Sequence, residues 1–80
     1  MGPDDFDILS DIRHVTIIAS GSGVRIHRQL TARFGKGRWR KLKGVALVQE
    51  RAGEPYEAEI HWYEAHGIGR VDWKIKRDLR

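Results

Sequence analysis

Apolar residues change their spacing along this chain, and each change marks an element. The run Arg13-His14-Val15-Thr16-Ile17-Ile18-Ala19 is dense in β-branched residues and suits a buried strand, although Ile8, Ile12, Val15 and Ala19 also share one helical face. β-branching favours the strand, so a short strand is predicted over about Arg13 to Ala19. Gly21-Ser22-Gly23 ends it. Ser22 is placed to cap a helix from Val24 to Phe34, with Gly35 supplying a left-handed terminating residue. Ile26, Leu30 and Phe34 recur at i, i+4 and i+8 and give that helix an apolar stripe, leaving Arg25, Arg28, Gln29 and Arg33 toward solvent.

Beyond the helix the period drops to two. From Arg38 to Gln49, Leu42, Gly44, Ala46 and Val48 alternate with Lys41, Lys43, Val45 and Leu47, and the mid-run Gly44 signals a bulge or a close backbone approach. Glu50 to Pro55 reads as a turn. Ala58, Ile60 and Trp62 then alternate with Glu57, Glu59, His61 and Tyr63, which gives one core face and one wet face. Gly67 and Gly69 bracket a second turn. In the last strand Val71, Trp73 and Ile75 alternate with Asp72, Lys74 and Lys76. The predicted fold is α+β, one helix packed on a mainly antiparallel sheet in the order strand-helix-strand-strand-strand, with the last three strands as a meander.

Eighty residues, 40% of them hydrophobic and three of them Trp, describe a single folded domain over residues 1–80. Met1 to Asp7 is polar and acidic and is expected to fray, so that residues 1–9 read as a flexible N-terminal segment on which Phe6 has the means to dock. Cysteine is absent, which excludes disulfides and thiolate metal sites. No metal-ligand spacing or cofactor motif is present. No apolar run approaches membrane-spanning length, and the acidic N-terminus is unlike a secretory leader, so a cytoplasmic protein with no membrane partner is expected.

Charge adds the main functional signal. Arg25, Arg28, Arg33, Lys36, Arg38, Arg40, Lys41 and Lys43 occur between Val24 and Gln49 without one intervening Asp or Glu, whereas every other stretch mixes signs. Such clustering points to a polyanion, RNA or DNA, with Lys74 and Lys76 extending the patch and Trp39 or Tyr63 available to stack a base. The competing uses of the same residues are a solvated basic face and an acidic protein partner. Gly21-Ser22-Gly23 has the look of an anion nest, but a plain helix cap accounts for it more economically. His61, Tyr63, Glu64 and His66 invite a reading as acid-base cleavage of RNA near the cations, His61 and Tyr63 foremost because they project from the same strand face as Glu59. No nucleophile-base pair accompanies them, and His66 has the wrong strand parity to join His61. A non-enzymatic nucleic-acid-binding module is therefore the leading expectation.

The segments Arg38-Trp39-Arg40-Lys41-Leu42-Lys43-Gly44 and Glu59 to Gly69 resemble those of a family of short, uncharacterised bacterial proteins, over about Ile12 to Lys76. That resemblance implies an intact domain and no assigned activity. The element order is also similar to that of RelE and ParE toxins, whose members act on messenger RNA or on gyrase. The similarity implies a toxin-like ribonuclease or gyrase-binding alternative, although this chain has room for one helix where two are usual.

Overall fold

The computed structural model describes residues 5–80. Along them run β1 (Asp7–Ile8), β2 (Arg13–Ser20), a single 3-10 turn (Gly21–Gly23), α1 (His27–Phe34), β3 (Arg40–Gln49), β4 (Tyr56–Ala65) and β5 (Gly69–Asp78). The fold is α+β, one helix on an antiparallel sheet. The ambiguity over residues 8–19 resolves toward the strand, as β-branching there predicts.

Strands β3, β4 and β5 form a meander, while β1 and β2 both pair antiparallel with the outer side of β3, one near each end. The expected fraying of residues 1–4 lies outside the described residues. Residues 5–9 depart from that expectation: Asp7 and Ile8 pair with Gln49 and Val48, and Phe6 and Ile8 pack on the core. Their apolar surface repays the ordering that a purely acidic segment would not.

Alternation along β3 and β4 divides the molecule into two apolar layers. Leu42, Ala46 and Val48 from β3 and Tyr56, Ala58, Ile60 and Trp62 from β4 form one layer, joined by Phe6, Ile8, Ile12, Trp73 and Ile75. Trp62 and Trp73 stack there, with centroids 5.0 Å apart and planes 28° from parallel. The second layer lies on the other face, toward the Arg40 end of β3. It holds Val24, Leu30, Trp39 and Ala65, with Ile26, Phe34, Tyr63 and Val71 against them. Each large side chain so buried contributes roughly 1.5–3 kcal/mol.

The helix is shorter than its sequence pattern predicts. Ser22 does not cap it; the N-cap is Ile26, without a side-chain hydrogen bond. Gly21 (φ 55°) turns the chain into the 3-10 turn and donates its N–H to the Trp39 carbonyl at 2.9 Å. Val24 stays extended and buried, so its side chain serves the core rather than a first helical turn. Gly35 has the positive φ expected at the helix end, but at φ 115°, ψ 168° it leads straight into extended chain instead of a left-handed cap. The Ile26-Leu30-Phe34 stripe packs as predicted.

At Gly44 the chain entering β2 lies close against β3. A Cβ there would lie 2.5 Å from Ile12 Cγ2, 3.2 Å from the Arg13 carbonyl oxygen and 3.3 Å from Trp62 Cη2. Two of these neighbours are core side chains and the third is backbone. Gly44→Ala is therefore expected to cost about 1–3 kcal/mol, seen as a lower urea midpoint with an unchanged slope. Gly53→Ala, whose closest approach is 3.1 Å to the Glu50 carbonyl in a surface turn, is expected to cost less.

Candidate nucleic-acid interface

The strand alternation that buries Ile60 and Trp62 turns Glu59, His61 and Tyr63 to the opposite face of β4. Register then assembles the rest. Lys43 on β3 and Lys74 on β5 both pair with His61, and Lys41 pairs with Tyr63. Lys76 follows Lys74 at the same parity. Helix α1 borders this face through Ile26, Gln29 and Arg33, and the space between helix and sheet is a groove of about 420 Å³ whose lining includes Lys41, His61, Tyr63, Lys74 and Lys76.

Two lysine rows result, Lys41 and Lys43 on β3, Lys74 and Lys76 on β5, with His61 and Tyr63 between them. On β3, two residues of regular strand rise put Lys41 and Lys43 about 6.7 Å apart; on β5 the register shifts between Ile75 and Arg77, so Lys76 sits at an irregularity; the rows are about two strand spacings or ~9.6 Å apart. Among the described residues, none of the four lysines has a carboxylate oxygen within 4.0 Å. Lys41 Nζ lies 5.8 Å from the centre of the Tyr63 ring. The carboxylates on this face are engaged by other groups. Arg33 Nη1 is 3.9 Å from Asp72 Oδ1, and Glu59 meets His61 and, at 3.9 Å, Arg77.

The cations that are contiguous in sequence do not stay together in space. Arg33, Lys41, Lys43, Lys74 and Lys76 share the groove face, and Arg25 stands beside Lys41 in an adjoining depression with Ile18 and Val24. Arg28, Lys36 and Arg38 are exposed but do not line the groove. Arg40 sits one residue before Lys41 and so points to the other face, where it pairs with Glu64. Glu64 Oε1 also accepts from Trp62 Nε1 at 3.0 Å and lies 3.7 Å from Arg70 Nε. Trp39 is 0% exposed and packs at 6.1 Å against Phe34, so it has no face to offer a base. Its place among Arg38, Arg40 and Lys41 suggested exposure, but the core beneath the helix needs a large ring at the entry to β3. Gln29 and Asp72 are groove residues that the charge pattern passes over. Asp72 has φ 60° beside an irregularity in the β4–β5 register, and an Asp within a strand-like run is a recognisable sign of such a site.

His61 and Tyr63 lie on one face with Glu59, as alternation predicts, but their geometry is that of a held pair. His61 Nε2 donates to Glu59 Oε2 at 2.8 Å, and Nδ1 is enclosed by protein without a partner among the described residues. The hydrogen bond from His61 holds the Glu59 carboxyl below its ordinary 4.5, with the charges of Lys43 and Arg77 acting in the same direction. Burial, with the nearby Asp72 charge, pushes the Tyr63 phenol above 10.0. His66 is exposed in the β4–β5 turn and Glu64 belongs to the opposite face. No group of three or more metal-ligating side chains occurs among the described residues.

Because the folded-state value of Glu59 lies below its unfolded value, its contribution to stability is fully present above the ordinary carboxylate range and is lost as pH falls through the folded value. Urea titrations of wild type and Glu59→Gln from pH 7 to pH 3 are expected to converge as the pH drops, with the wild type the more stable only at the upper end.

Comparison with known proteins finds no matching family model, no matching curated protein and no matching solved structure, so the functional reading rests on the groove itself.

Proposed function

We propose that this chain binds RNA or DNA, as a single-stranded segment laid along the groove between α1 and the lysine face of the sheet. The observation that carries the reading is the pair of lysine rows, Lys41 with Lys43 and Lys74 with Lys76, all without a carboxylate partner among the described residues. The spacing of Lys41 and Lys43 along regular strand is of the order separating successive phosphates in an extended strand, and each ammonium that meets a phosphate releases condensed counterion. Tyr63, half-buried between the rows, offers an aromatic edge to a base. The face is a sheet bordered by an eight-residue helix, with no element among the described residues projecting from it to enter a major groove, which favours a single strand over duplex.

Binding is favoured over cleavage by the state of the imidazole. One His61 nitrogen is occupied by Glu59 and the other is enclosed, so neither is presented to a phosphodiester in the groove. An acidic protein partner would use the same lysines, and nuclease sensitivity of co-purifying material separates the two readings.

Fluorescence anisotropy with a short labelled oligonucleotide at several salt concentrations tests the proposal. Affinity is expected to fall steeply with salt. Lys41→Ala with Lys74→Ala is expected to weaken binding and to reduce the slope of log K against log salt by about 0.7 for each lost contact to a single strand. Arg40→Ala, on the opposite face, is expected to leave the slope unchanged. Affinity indifferent to salt, or equal losses in the two variants, overturns the reading.

A further inference from the structure

A groove built for a polyanion has little reason to contain a carboxylate, yet Asp72 lines it beside Lys41, Tyr63, Lys74 and Lys76, the only acidic side chain to do so among the described residues. The backbone holds it there in an unusual way. His61 pairs with Lys74 and Tyr63 with Val71, so Asp72 and Trp73 both stand opposite Trp62, one residue more than regular pairing allows. Trp73 takes the core side, stacked on Trp62. Val71 and Asp72, although adjacent, therefore both serve the helix side, Val71 in the apolar layer and Asp72 in the groove. Asp72 absorbs the irregularity at φ 60°, a left-handed conformation that Asp tolerates better than most residues.

Its own fold does not use up this carboxylate. Among the described residues the one cation within 4.0 Å is Arg33, at 3.9 Å, which is longer than a hydrogen bond, and the Arg33 side chain is 63% exposed. An ionised Asp only accepts hydrogen bonds, and the donors a nucleic acid can bring are the N–H groups of its bases and, in RNA, the 2′-hydroxyl. In a single strand the Watson–Crick edges are open. Guanine presents two adjacent donors there, N1–H and the N2 amino group, which match the two carboxylate oxygens. Adenine and cytosine each present one amino group next to a ring-nitrogen acceptor, and uracil or thymine one N–H between two carbonyls, so each sets a lone pair against the carboxylate.

We propose that Asp72 makes the groove selective for guanine, its carboxylate accepting N1–H and N2–H of one guanine in the bound single strand while Lys41, Lys74 and Lys76 hold the neighbouring phosphates. This deepens the nucleic-acid reading above and rests on it. Tyr63, which shares the lining with Asp72, supplies the aromatic contact to the same base. Selectivity then has two sources. Guanine gains a paired, charge-assisted contact, and a strand without guanine meets an uncompensated negative charge beside its phosphates.

Anisotropy titrations of the full chain with labelled oligouridines that differ at one central base test this. The strand carrying guanine is expected to bind about tenfold tighter than all-uridine, adenine and cytosine to fall near uridine, and inosine, which keeps N1–H but lacks the N2 amino group, to fall between. Asp72→Asn keeps the size of the side chain and its tolerance of positive φ. It is expected to bring the guanine and uridine affinities together, chiefly by tightening the uridine complex, because a negative charge leaves the groove. Lys74→Ala is expected to weaken both complexes and keep their ratio. Salt-dependent binding with equal affinity for guanine and uridine, a guanine preference that survives Asp72→Asn, or inosine bound as tightly as guanine overturns the selectivity and leaves the binding reading standing. A preference for RNA over DNA regardless of base assigns the carboxylate to the 2′-hydroxyl and overturns it equally. No binding of any strand overturns both.

Discussion

Nine consecutive residue pairs, from Arg40 with Glu64 to Val48 with Tyr56, join β3 to β4 without a register shift. This ladder is the constraint on which the rest depends. A strand residue has only two directions available, and a slip of one position would exchange them throughout. While the ladder holds, Leu42, Ala46, Ile60 and Trp62 are committed to the core and Lys41, Lys43, His61 and Tyr63 to the other side. The irregularities are kept to the flanking pairs, β2–β3 and β4–β5, where they bend the sheet without disturbing its centre.

The second layer explains why the lysine side is a groove and not a flat surface. Val24, Leu30, Trp39 and Ala65 seat the helix over one end of the sheet, and the helix stops short of the rest. Gly37 permits that approach, since a Cβ there would come within 2.8 Å of the Ala65 Cβ. The open part of the face is therefore walled on one side by Gln29 and Arg33. Arg33 is drawn toward Asp72, which leaves Lys41, Lys74 and Lys76 in the groove, with Lys43 on the same face, as positive charge without a carboxylate partner among the described residues.

Much of this arrangement was legible in the sequence. Period-two alternation gave β3, β4 and β5, the helical stripe gave the packed side of α1, and Gly44 marked a close approach. What the sequence concealed depended on contacts between distant residues. Trp39 looked like part of a basic segment because its neighbours are cations, yet its direction is set by the helix above it. Arg40 and Lys41 are adjacent in sequence and face opposite sides of the sheet. Lys74 and Lys76 meet Lys41 and Lys43 only through the register of three strands, which composition does not encode. Ser22 failed as a cap because burying Val24 required extended backbone where a first helical turn was expected.

The three tryptophans divide between the two layers in a way that has an optical consequence. Trp62 and Trp73 form a close stack on one side of the sheet, and Trp39 lies alone in the layer under the helix. Two indoles this near and this nearly parallel couple their electronic transitions and give an exciton signature in near-ultraviolet circular dichroism, whereas a solitary enclosed ring reports through its emission wavelength. The loosening of each half of the molecule can thus be followed by its own native chromophore, and the order in which the halves come apart read without a label.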